Sequence, residues 1–324
     1  MHSSSDISKT GLSKPFGRSE PSRGVVLRGL VKQGATDGTI SIYGTPIALM
    51  AKLAEQQGCE AIYLSGATLS AGVLGVPDIG IVTLEQLTEH TRVLAGAVSI
   101  PLVVDADTGF GGSQEVGRCV RLLEEAGAAA IQLEDQRRPK RCGHLAGKEI
   151  IDVEEMCKKI AAAATARRDQ STVIIARSDA RGVTDLDDCV RRLRAYHEAG
   201  ADWLFPEALV SRDEFARVGR ECAVGSSGQP PAVLMANMTE FGVSPLLSRD
   251  DLSALGFAVV LYPVTLLRIA MKAVEAGLAV IDDEGSQSSL LDLMQSREEL
   301  YDLLGYDPAH PEAWTPQGGP ATRS

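Results

Sequence analysis

The stretch GAAAIQLED, Gly127 to Asp135, decides the fold of this chain. It joins a glycine, the residue that most often ends a helix, to a continuous apolar run that closes on two carboxylates. The same seven-residue spacing from a glycine to a strand end recurs in three further pairs: Gly58 and Ser65, Gly200 and Glu207, Gly256 and Pro263. The spacing predicts a repeated unit of helix, glycine cap and buried parallel strand.

Eight short β-rich runs alternate with amphipathic stretches along the chain. They are TISIY (39–43), AIYLS (61–65), PLVVDAD (101–107), AAIQLED (129–135), TVIIARSD (172–179), DWLFPE (202–207), AVLMAN (232–237) and FAVVLYP (257–263). Eight strands that alternate with helices predict an α/β fold, a (β/α)8 barrel of the TIM type. A doubly wound open sheet is the alternative, because alternation alone does not close a sheet.

The composition divides the 324 residues into one domain and two tails. Residues 1–24 are rich in Ser, Gly and Pro, and residues 307–324 are rich in Pro with no periodicity, so both are predicted to be disordered. Residues 25–306 are predicted to form a single barrel domain with additional C-terminal helices.

Charge and cysteine usage narrow the class of protein. A net charge of −11 opposes binding to nucleic acid, and no apolar run reaches the length of a membrane span. The N-terminus lacks a signal-peptide pattern, and the six cysteines form no C-x-x-C pair. We therefore expect a cytoplasmic protein that binds neither nucleic acid nor membranes.

Barrel enzymes place their chemistry at the carboxyl ends of the strands, and here nearly every predicted strand ends in a reactive residue type. These residues are Tyr43, Ser65, Asp105 with Asp107, Glu134 with Asp135, Arg177 with Asp179, Glu207, Asn237 and Tyr262. Any one of them could be a helix cap or turn residue. Their coincidence at eight ends favours a catalytic site.

The segment DADTGFGG, residues 105–112, indicates a metal site. Asp105 and Asp107 share one face at strand spacing, and Glu134 follows the next strand. Three oxygen donors favour Mg²⁺, with Mn²⁺ as a second possibility. The alternative is that these carboxylates cap helices at a solvated rim.

The segment PKRCGHLAGK, residues 139–148, places a thiol among cations. Lys140, Arg141 and His144 would favour the thiolate of Cys142, which makes it a candidate acid or nucleophile. The alternative is an inert packed thiol.

Further charges lie near the predicted strand ends. Arg177 and Glu207 would be inward charges at apolar strand ends, so they either pair with each other or meet substrate and metal. Arg268 and Arg297 could grip substrate carboxylates or could be surface helix charges.

Together these segments resemble a known superfamily. SGATLSAGVLGVPDIG, DADTGFGG, LEDQ, PKRCGH, ARSDARGV, LFPEA, LMANMTEFG and LYPVTLLR occur in the order found in the isocitrate lyase and phosphoenolpyruvate mutase superfamily. The resemblance runs from about residue 61 to 306 and is strongest to its 2-methylisocitrate lyases. It implies Mg²⁺-dependent cleavage of 2-methylisocitrate, a tricarboxylate, to pyruvate and succinate in propionate catabolism and the methylcitrate cycle. It also implies a homotetramer, a dimer of dimers in which the C-terminal helix is swapped between subunits.

The resemblance also implies roles for individual residues. Tyr63 would be the base and Cys142 the general acid, with Lys140 and His144 beside them, and Arg177 would stabilise the developing enolate. Asp105, Asp107 and Glu134 would hold the metal. The residues implied to bind substrate are Ser65, Gly66 and Ala67 for the pyruvate half, Glu207 near them, Gly143, Asn237, Thr239, Arg268 and Arg297 for the succinate carboxylates, and Phe205, Leu261 and Pro263 for the methyl group. Met238 is also implied to bind substrate.

Other activities stay open at this point. Within the superfamily these are a lyase for 2,3-dimethylmalate or oxaloacetate and a carboxyphosphonoenolpyruvate mutase. A barrel that binds a dicarboxylate without turnover is the alternative from another class, although a binder has no need of a thiol in a cationic loop.

Overall fold

The structure is a computed structural model that describes residues 21–141, 143–144, 147–225 and 230–314. Its centre is a closed barrel of eight parallel strands, each hydrogen-bonded to the next in sequence. The strands are β1 (Ile40–Gly44), β2 (Ala61–Leu64), β3 (Leu102–Asp105), β4 (Ala130–Glu134), β5 (Val173–Ser178), β6 (Trp203–Pro206), β7 (Val233–Asn237) and β8 (Val259–Tyr262). The predicted strands are confirmed, and since β1 pairs in parallel with β8, the open-sheet alternative is wrong.

Helices surround this barrel. They are α1 (Arg23–Asp37), α2 (Ala48–Gln56), α3 (Gly66–Thr68), α4 (Leu84–Ala97), α5 (Ser113–Glu125), α6 (Val153–Ala166), α7 (Leu186–Glu198), α8 (Arg212–Cys222), α9 (Arg249–Ala254), α10 (Thr265–Glu284) and α11 (Arg297–Leu304). Most connect consecutive strands, as the repeated unit requires.

The strands are mostly apolar because both of their faces are buried. On β2, Ala61 and Tyr63 point into the barrel, whereas Ile62 and Leu64 pack against the surrounding helices. β4 follows the same two-residue period, so its inward face carries Ala130, Gln132 and Glu134 in turn. A strand with this period delivers polar side chains to the barrel mouth only at its end.

Glycines set the start of each repeated strand. Gly58, Gly127, Gly200 and Gly256 have φ values of +78°, +102°, +114° and +87°, which side chains with a Cβ rarely adopt. Each of them follows a helix and precedes a strand, which confirms the cap predicted from the seven-residue spacing.

Helix α1 covers the amino-terminal end of the barrel. It begins at Arg23, after the capping side chain of Ser22, and thus two residues before the predicted start of the domain. Leu27 and Val31 of this helix are buried against the barrel interior. The burial of this face explains why a segment of weak amphipathicity is helical.

At the other end of the chain, residues 307–314 continue past the predicted domain boundary as ordered structure. They include a short 3-10 turn, Pro311–Ala313, and the indole of Trp314 donates a hydrogen bond to the Leu304 carbonyl at 3.2 Å. The predicted disorder of residues 1–20 and 315–324 lies outside the described residues.

Helix α10 differs from the other long helices. None of its twenty residues is buried, and its exposed apolar side chains include Met271, Val274, Leu278 and Ile281. After it, α11 returns to pack against α2. Within the described ranges, no helix combines the length and the apolar character needed to cross a bilayer.

We predict that Gly127→Ala destabilises the protein by about 1–3 kcal/mol. The substitution forces a Cβ onto a backbone at φ +102°, and that Cβ would lie 2.7 Å from the Ala95 Cβ. The free energy of unfolding from urea denaturation measures the loss.

Gly29→Ala is the matched control, because Gly29 lies inside α1 and a Cβ there meets nothing within 4 Å. This control should raise stability by about 0.5–1 kcal/mol. Equal stability of the two variants would contradict the role assigned to Gly127.

Candidate active site

A cavity opens at the carboxyl ends of the strands, where the predicted site residues converge. It is lined by Tyr63, Ser65, Ala67, Asp78, Asp105, Lys140, Arg141, Gly143, His144, Arg177, Phe205, Glu207, Asn237, Thr239, Leu261, Pro263, Val264 and Arg268. Most of the residues predicted from the sequence are therefore brought to one place.

Lys140 neutralises part of the acidic side of the cavity. Its ammonium group lies 2.8 Å from Asp107 Oδ1 and 2.5 Å from Asp78 Oδ1. Burial raises the pKa of Asp107 to about 6, Lys140 works against this, and the negative charge of Asp105 adds to it. The backbone at Asp107 has φ +48°, and its amide donates to Asp105 Oδ1 at 3.1 Å. The turn thus holds two carboxylates close together.

Glu134 extends this acidic region. Its carboxylate is 1% exposed, and Oε2 lies 3.2 Å from the Arg177 guanidinium. Among the described atoms, Oε1 has no hydrogen-bond partner. Burial raises the pKa of Glu134 well above its ordinary value, because a buried anion lacks water to stabilise it.

These acidic groups fit a hard divalent cation. Asp105, Asp107 and Glu134 supply only oxygen donors, and the unpartnered Glu134 oxygen is a free ligand atom. Across the described part of the chain, no three His, Cys, Asp or Glu side chains already converge into a metal cluster. In this structure, Asp107 forms an ion pair with Lys140, and Glu134 forms an ion pair with Arg177.

A hydrogen-bond chain links Tyr63 to the acidic pair. The Tyr63 hydroxyl donates to Gln132 Oε1 at 2.9 Å, and Gln132 Nε2 donates to Asp105 Oδ1 at 3.1 Å. Burial, together with the charge of Asp105, raises the pKa of Tyr63 well above its ordinary value, so the phenol is held protonated. Tyr63 lines the cavity, and its role as a base stays a prediction.

Arg177 occupies the centre of the site. Its Nε lies 2.9 Å from Asp179 Oδ2 and 3.6 Å from Glu207 Oε2, and its guanidinium lies 5.5 Å from the Phe205 ring centroid. Burial alone would lower its pKa, but the surrounding carboxylates raise it well above the ordinary value. Arg177 therefore does both things left open by the sequence: it pairs with Glu207 and it faces the cavity.

Glu207 also anchors the imidazole of His144. His144 Nε2 lies 2.7 Å from Glu207 Oε1, while the amide of Val243 donates to His144 Nδ1 at 3.2 Å. Burial would raise the pKa of Glu207, but Arg177 and His144 outweigh it and lower the pKa to about 2. Because Nδ1 accepts a hydrogen bond, Nε2 is the nitrogen that carries a proton toward Glu207.

Gly143 brings the backbone of the cationic loop into direct contact with this cluster. A Cβ at this position would lie 2.3 Å from Arg177 Nη2 and 2.7 Å from Glu207 Cγ. Only glycine permits this approach. Cys142, the predicted acid, lies outside the described residues.

The comparisons with known proteins agree with this geometry. The sequence profile of the family described as "Phosphoenolpyruvate phosphomutase" matches residues 48–281. The chain belongs to the phosphoenolpyruvate phosphomutase family.

Among relatives, the chain is 47% identical to a 2-methylisocitrate lyase of Aeropyrum pernix over 283 residues, covering 87% of each chain. Among solved structures, it is similar to 2,3-dimethylmalate lyase, a PEP mutase/isocitrate lyase superfamily member, with a TM-score of 0.81 and 31% identity, covering 91% of this chain and 95% of the other. It is also similar to phosphonopyruvate hydrolase in complex with oxalate and Mg²⁺, with a TM-score of 0.77 and 32% identity over 88% and 95%.

Two predicted substrate residues of this family member lie elsewhere. Met238 is buried, and its sulfur accepts a hydrogen bond from the Leu247 amide at 3.3 Å, because the residue after β7 turns its side chain away from the cavity. Arg297 begins α11 on the exposed surface and lines a separate depression with Tyr301 and Tyr306. Helix α10 leads the chain away from the mouth before Arg297 is reached.

The structure also places Gly66, Arg268 and three apolar residues around the barrel mouth. Gly66 lies beside the acidic pair, and its amide donates to Asp105 Oδ2 at 3.4 Å. Arg268 faces the cavity and pairs with Glu240 Oε2 at 3.0 Å. Phe205, Leu261 and Pro263 supply the apolar part of the wall.

Three contributors to the site were not predicted from the sequence: Asp78, Gln132 and Lys148. Gln132 could have been found, because it lies two residues before Glu134 and therefore shares the inward face of β4. Asp78 and Lys148 follow no strand and show no periodic signal. Only the tertiary structure brings them to the mouth.

Proposed function

We propose that this protein cleaves 2-methylisocitrate to pyruvate and succinate, as a step of propionate catabolism in the methylcitrate cycle. The observation that carries the proposal is the composition of the cavity. It combines carboxylates with cationic and apolar side chains: Asp78, Asp105 and Glu207, then Lys140, Arg177 and Arg268, then Phe205, Leu261 and Pro263. The 47% identity to a protein named 2-methylisocitrate lyase supports this substrate over the more distant 2,3-dimethylmalate.

Asp105, Asp107 and Glu134 would hold a divalent cation, for which we propose Mg²⁺. When bound, the ion acts as a Lewis acid that lowers the pKa of the substrate hydroxyl. The neighbour whose structure contains oxalate and Mg²⁺ supports this choice, as does the all-oxygen donor set.

Cleavage begins with removal of the proton from the C2 hydroxyl of the substrate. We assign this step to Tyr63 as its phenolate, so the proton that its hydroxyl donates to Gln132 Oε1 has to leave before the substrate proton is taken. Gln132 in turn donates a hydrogen bond to Asp105. The C2–C3 bond then breaks, the C2–O bond becomes the carbonyl of pyruvate, and the electron pair passes to the succinate fragment. Ser65, Gly66 and Ala67 would bind the pyruvate half.

The succinate fragment leaves as an aci-carboxylate, which needs a proton at its reacting carbon. We assign this proton to Cys142, flanked in sequence by Lys140 and His144. Arg177 would stabilise the negative charge that develops, since it is already held among carboxylates by contacts that fix its orientation.

Binding of the third carboxylate and the methyl group would distinguish this substrate from smaller ones. Asn237, Thr239 and Arg268 offer hydrogen-bond donors on one wall of the cavity. Phe205, Leu261 and Pro263 would receive the methyl group, whose burial contributes about 1 kcal/mol.

The first test is product release from 2-methylisocitrate, with isocitrate, 2,3-dimethylmalate and oxaloacetate in parallel, each with Mg²⁺ and with a chelator. Pyruvate is measured for 2-methylisocitrate and 2,3-dimethylmalate, glyoxylate for isocitrate, and the loss of substrate for oxaloacetate. We expect Mg²⁺-dependent release from 2-methylisocitrate to exceed release from the other three at least tenfold in kcat/KM, because only this substrate fills both the carboxylate and the methyl contacts.

Faster turnover of 2,3-dimethylmalate or oxaloacetate would retain the chemistry and reject the substrate. Binding of a dicarboxylate without any turnover would show that the barrel is a binder and would reject the lyase assignment.

Gly143→Ala should reduce kcat about 100-fold, because its Cβ displaces Arg177 and Glu207 by an ångström or more. Gly112→Ala is the matched control on a neighbouring loop, where a Cβ meets only Glu115 Oε2 at 3.4 Å. This control should keep wild-type turnover. An unchanged kcat in Gly143→Ala would rule out the close packing at Arg177 as a catalytic requirement.

We also propose that the protein is a homotetramer in which α10 packs across a subunit interface. The support is the row of exposed apolar residues on α10, Met271, Val274, Leu278 and Ile281, which nothing in this chain covers among the described residues. Such a helix face is stable in water only against a partner. Through this interface Arg297 could reach the cavity of a neighbouring subunit.

Light scattering after size-exclusion chromatography tests the assembly. A tetramer of 34.3 kDa chains has four times that mass, about 137 kDa. Leu278→Asp combined with Ile281→Asp should yield a smaller species, whereas Lys272→Glu, on the polar face of α10, should leave the mass unchanged. A wild-type monomer would refute the proposal.

A cytoplasmic location is supported by the cysteines. Five of them, Cys59, Cys119, Cys157, Cys189 and Cys222, are free thiols. Unpaired cysteines in this number suit a reducing compartment.

A further inference from the structure

A buried ion pair lies just behind the cavity and has no part in the chemistry proposed above. Lys148 Nζ lies 2.7 Å from Asp179 Oδ1, and the two side chains are 1% and 0% exposed. A buried ammonium group is costly unless each of its protons has a partner. Lys148 donates a second hydrogen bond to the carbonyl oxygen of Gly143.

The partner of Lys148 is also the partner of Arg177. Asp179 Oδ2 accepts from Arg177 Nε at 2.9 Å, and Asp179 Oδ1 accepts from Arg177 Nη2 at 3.1 Å. Oδ1 therefore receives both Lys148 and Arg177. A change in the position of Lys148 therefore alters the electrostatic environment of the Asp179 carboxylate, which orients the Arg177 guanidinium.

Asp179 itself is fixed to the barrel. Its backbone amide donates to Asp135 Oδ1 at 2.8 Å, while Asp135 Oδ2 accepts from Ser178 Oγ at 2.8 Å and from the Tyr196 hydroxyl at 2.7 Å. Because Asp135 is fully buried and bonded on both oxygens, Asp179 has little freedom to follow a displaced partner.

Two glycines leave the space that this arrangement needs. A Cβ at Gly182 would lie 3.0 Å from Lys148 Nζ, and a Cβ at Gly143 would lie 2.3 Å from Arg177 Nη2. The Lys148 ammonium group therefore contacts the Gly143 backbone, and that backbone packs against the Arg177 guanidinium.

We propose that Lys148 is a positioning residue for the lyase reaction. It holds the Gly143 backbone against Arg177 and, through Asp179, sets the orientation of the Arg177 guanidinium. Lys148 is not among the residues that line the cavity, so it acts through these neighbours and not on substrate. The inference rests on the proposed function, since it concerns the alignment of residues assigned to that reaction.

Lys148→Met tests the proposal, because methionine keeps most of the side-chain volume and removes the charge. We expect kcat to fall about 100-fold, the scale of a 1 Å misplacement of a catalytic group, with KM changed less than threefold.

Arg167→Met is the matched control. It breaks the ion pair with Asp202, 2.6 Å long and partly buried, at the opposite end of the barrel. It should lower the melting temperature and leave kcat unchanged.

A double-mutant cycle separates positioning from a general loss of stability. Because Lys148 acts partly through Asp179, Lys148→Met combined with Asp179→Asn should lose less in kcat than the product of the two single losses. Losses that multiply would show independent action and would overturn the route through Asp179. Retention of kcat within threefold in Lys148→Met would overturn the proposal as a whole.

Failure of the proposed function is distinguishable from failure of this inference. If the wild type does not cleave 2-methylisocitrate, the function is rejected, and the variants are compared on the substrate that the wild type does cleave.

A readout without substrate is the rate of trypsin cleavage after Arg141, followed by mass spectrometry. Lys148→Met should accelerate this cleavage, because Gly143 loses its tether, whereas Arg167→Met should not. Equal rates in the wild type and Lys148→Met would overturn the tether.

Discussion

The structure depends on one constraint, the burial of the Arg177 guanidinium among carboxylates at the barrel mouth. Glu134, Asp179 and Glu207 approach it from β4, from the turn after β5 and from the end of β6. Removal of any one carboxylate would change the balance of charge around the guanidinium, since these carboxylates are buried. Because these groups are closely packed, the loop after β4 can approach them only with a glycine at position 143, where a Cβ would collide with Arg177 and Glu207.

The barrel makes this burial possible by its two-residue period. Inward positions along the strands are mostly apolar and carry no charge until the strand ends, so the charged residues arrive together at one end above a packed interior. The glycine caps with positive φ fix where four of the strands, β2, β4, β6 and β8, begin. Because the strands are short, the starting point also fixes which residue reaches the mouth.

Much of the site could be predicted because its residues end strands, and strand ends are visible as the last polar residue of an apolar run. Asp105, Glu134, Arg177 and Glu207 were found in this way. The role of Met238 stays a prediction, since the resemblance gave a position one residue past β7 but not the turn that directs its sulfur to Leu247. Lys148 was missed because its partner, Asp179, lies 31 positions away and no local pattern links them.

The sequence by itself determined the eight strands, the glycine caps, the order of the polar strand ends and the resemblance to a lyase superfamily, because each is carried by local spacing or by contiguous motifs. Only the tertiary structure decided which charges pair. It joined Lys140 to Asp78 and Asp107, Lys148 to Asp179, and His144 to Glu207. The physical reason is that pairing follows distance in space and the cost of burying charge, and barrel closure sets both.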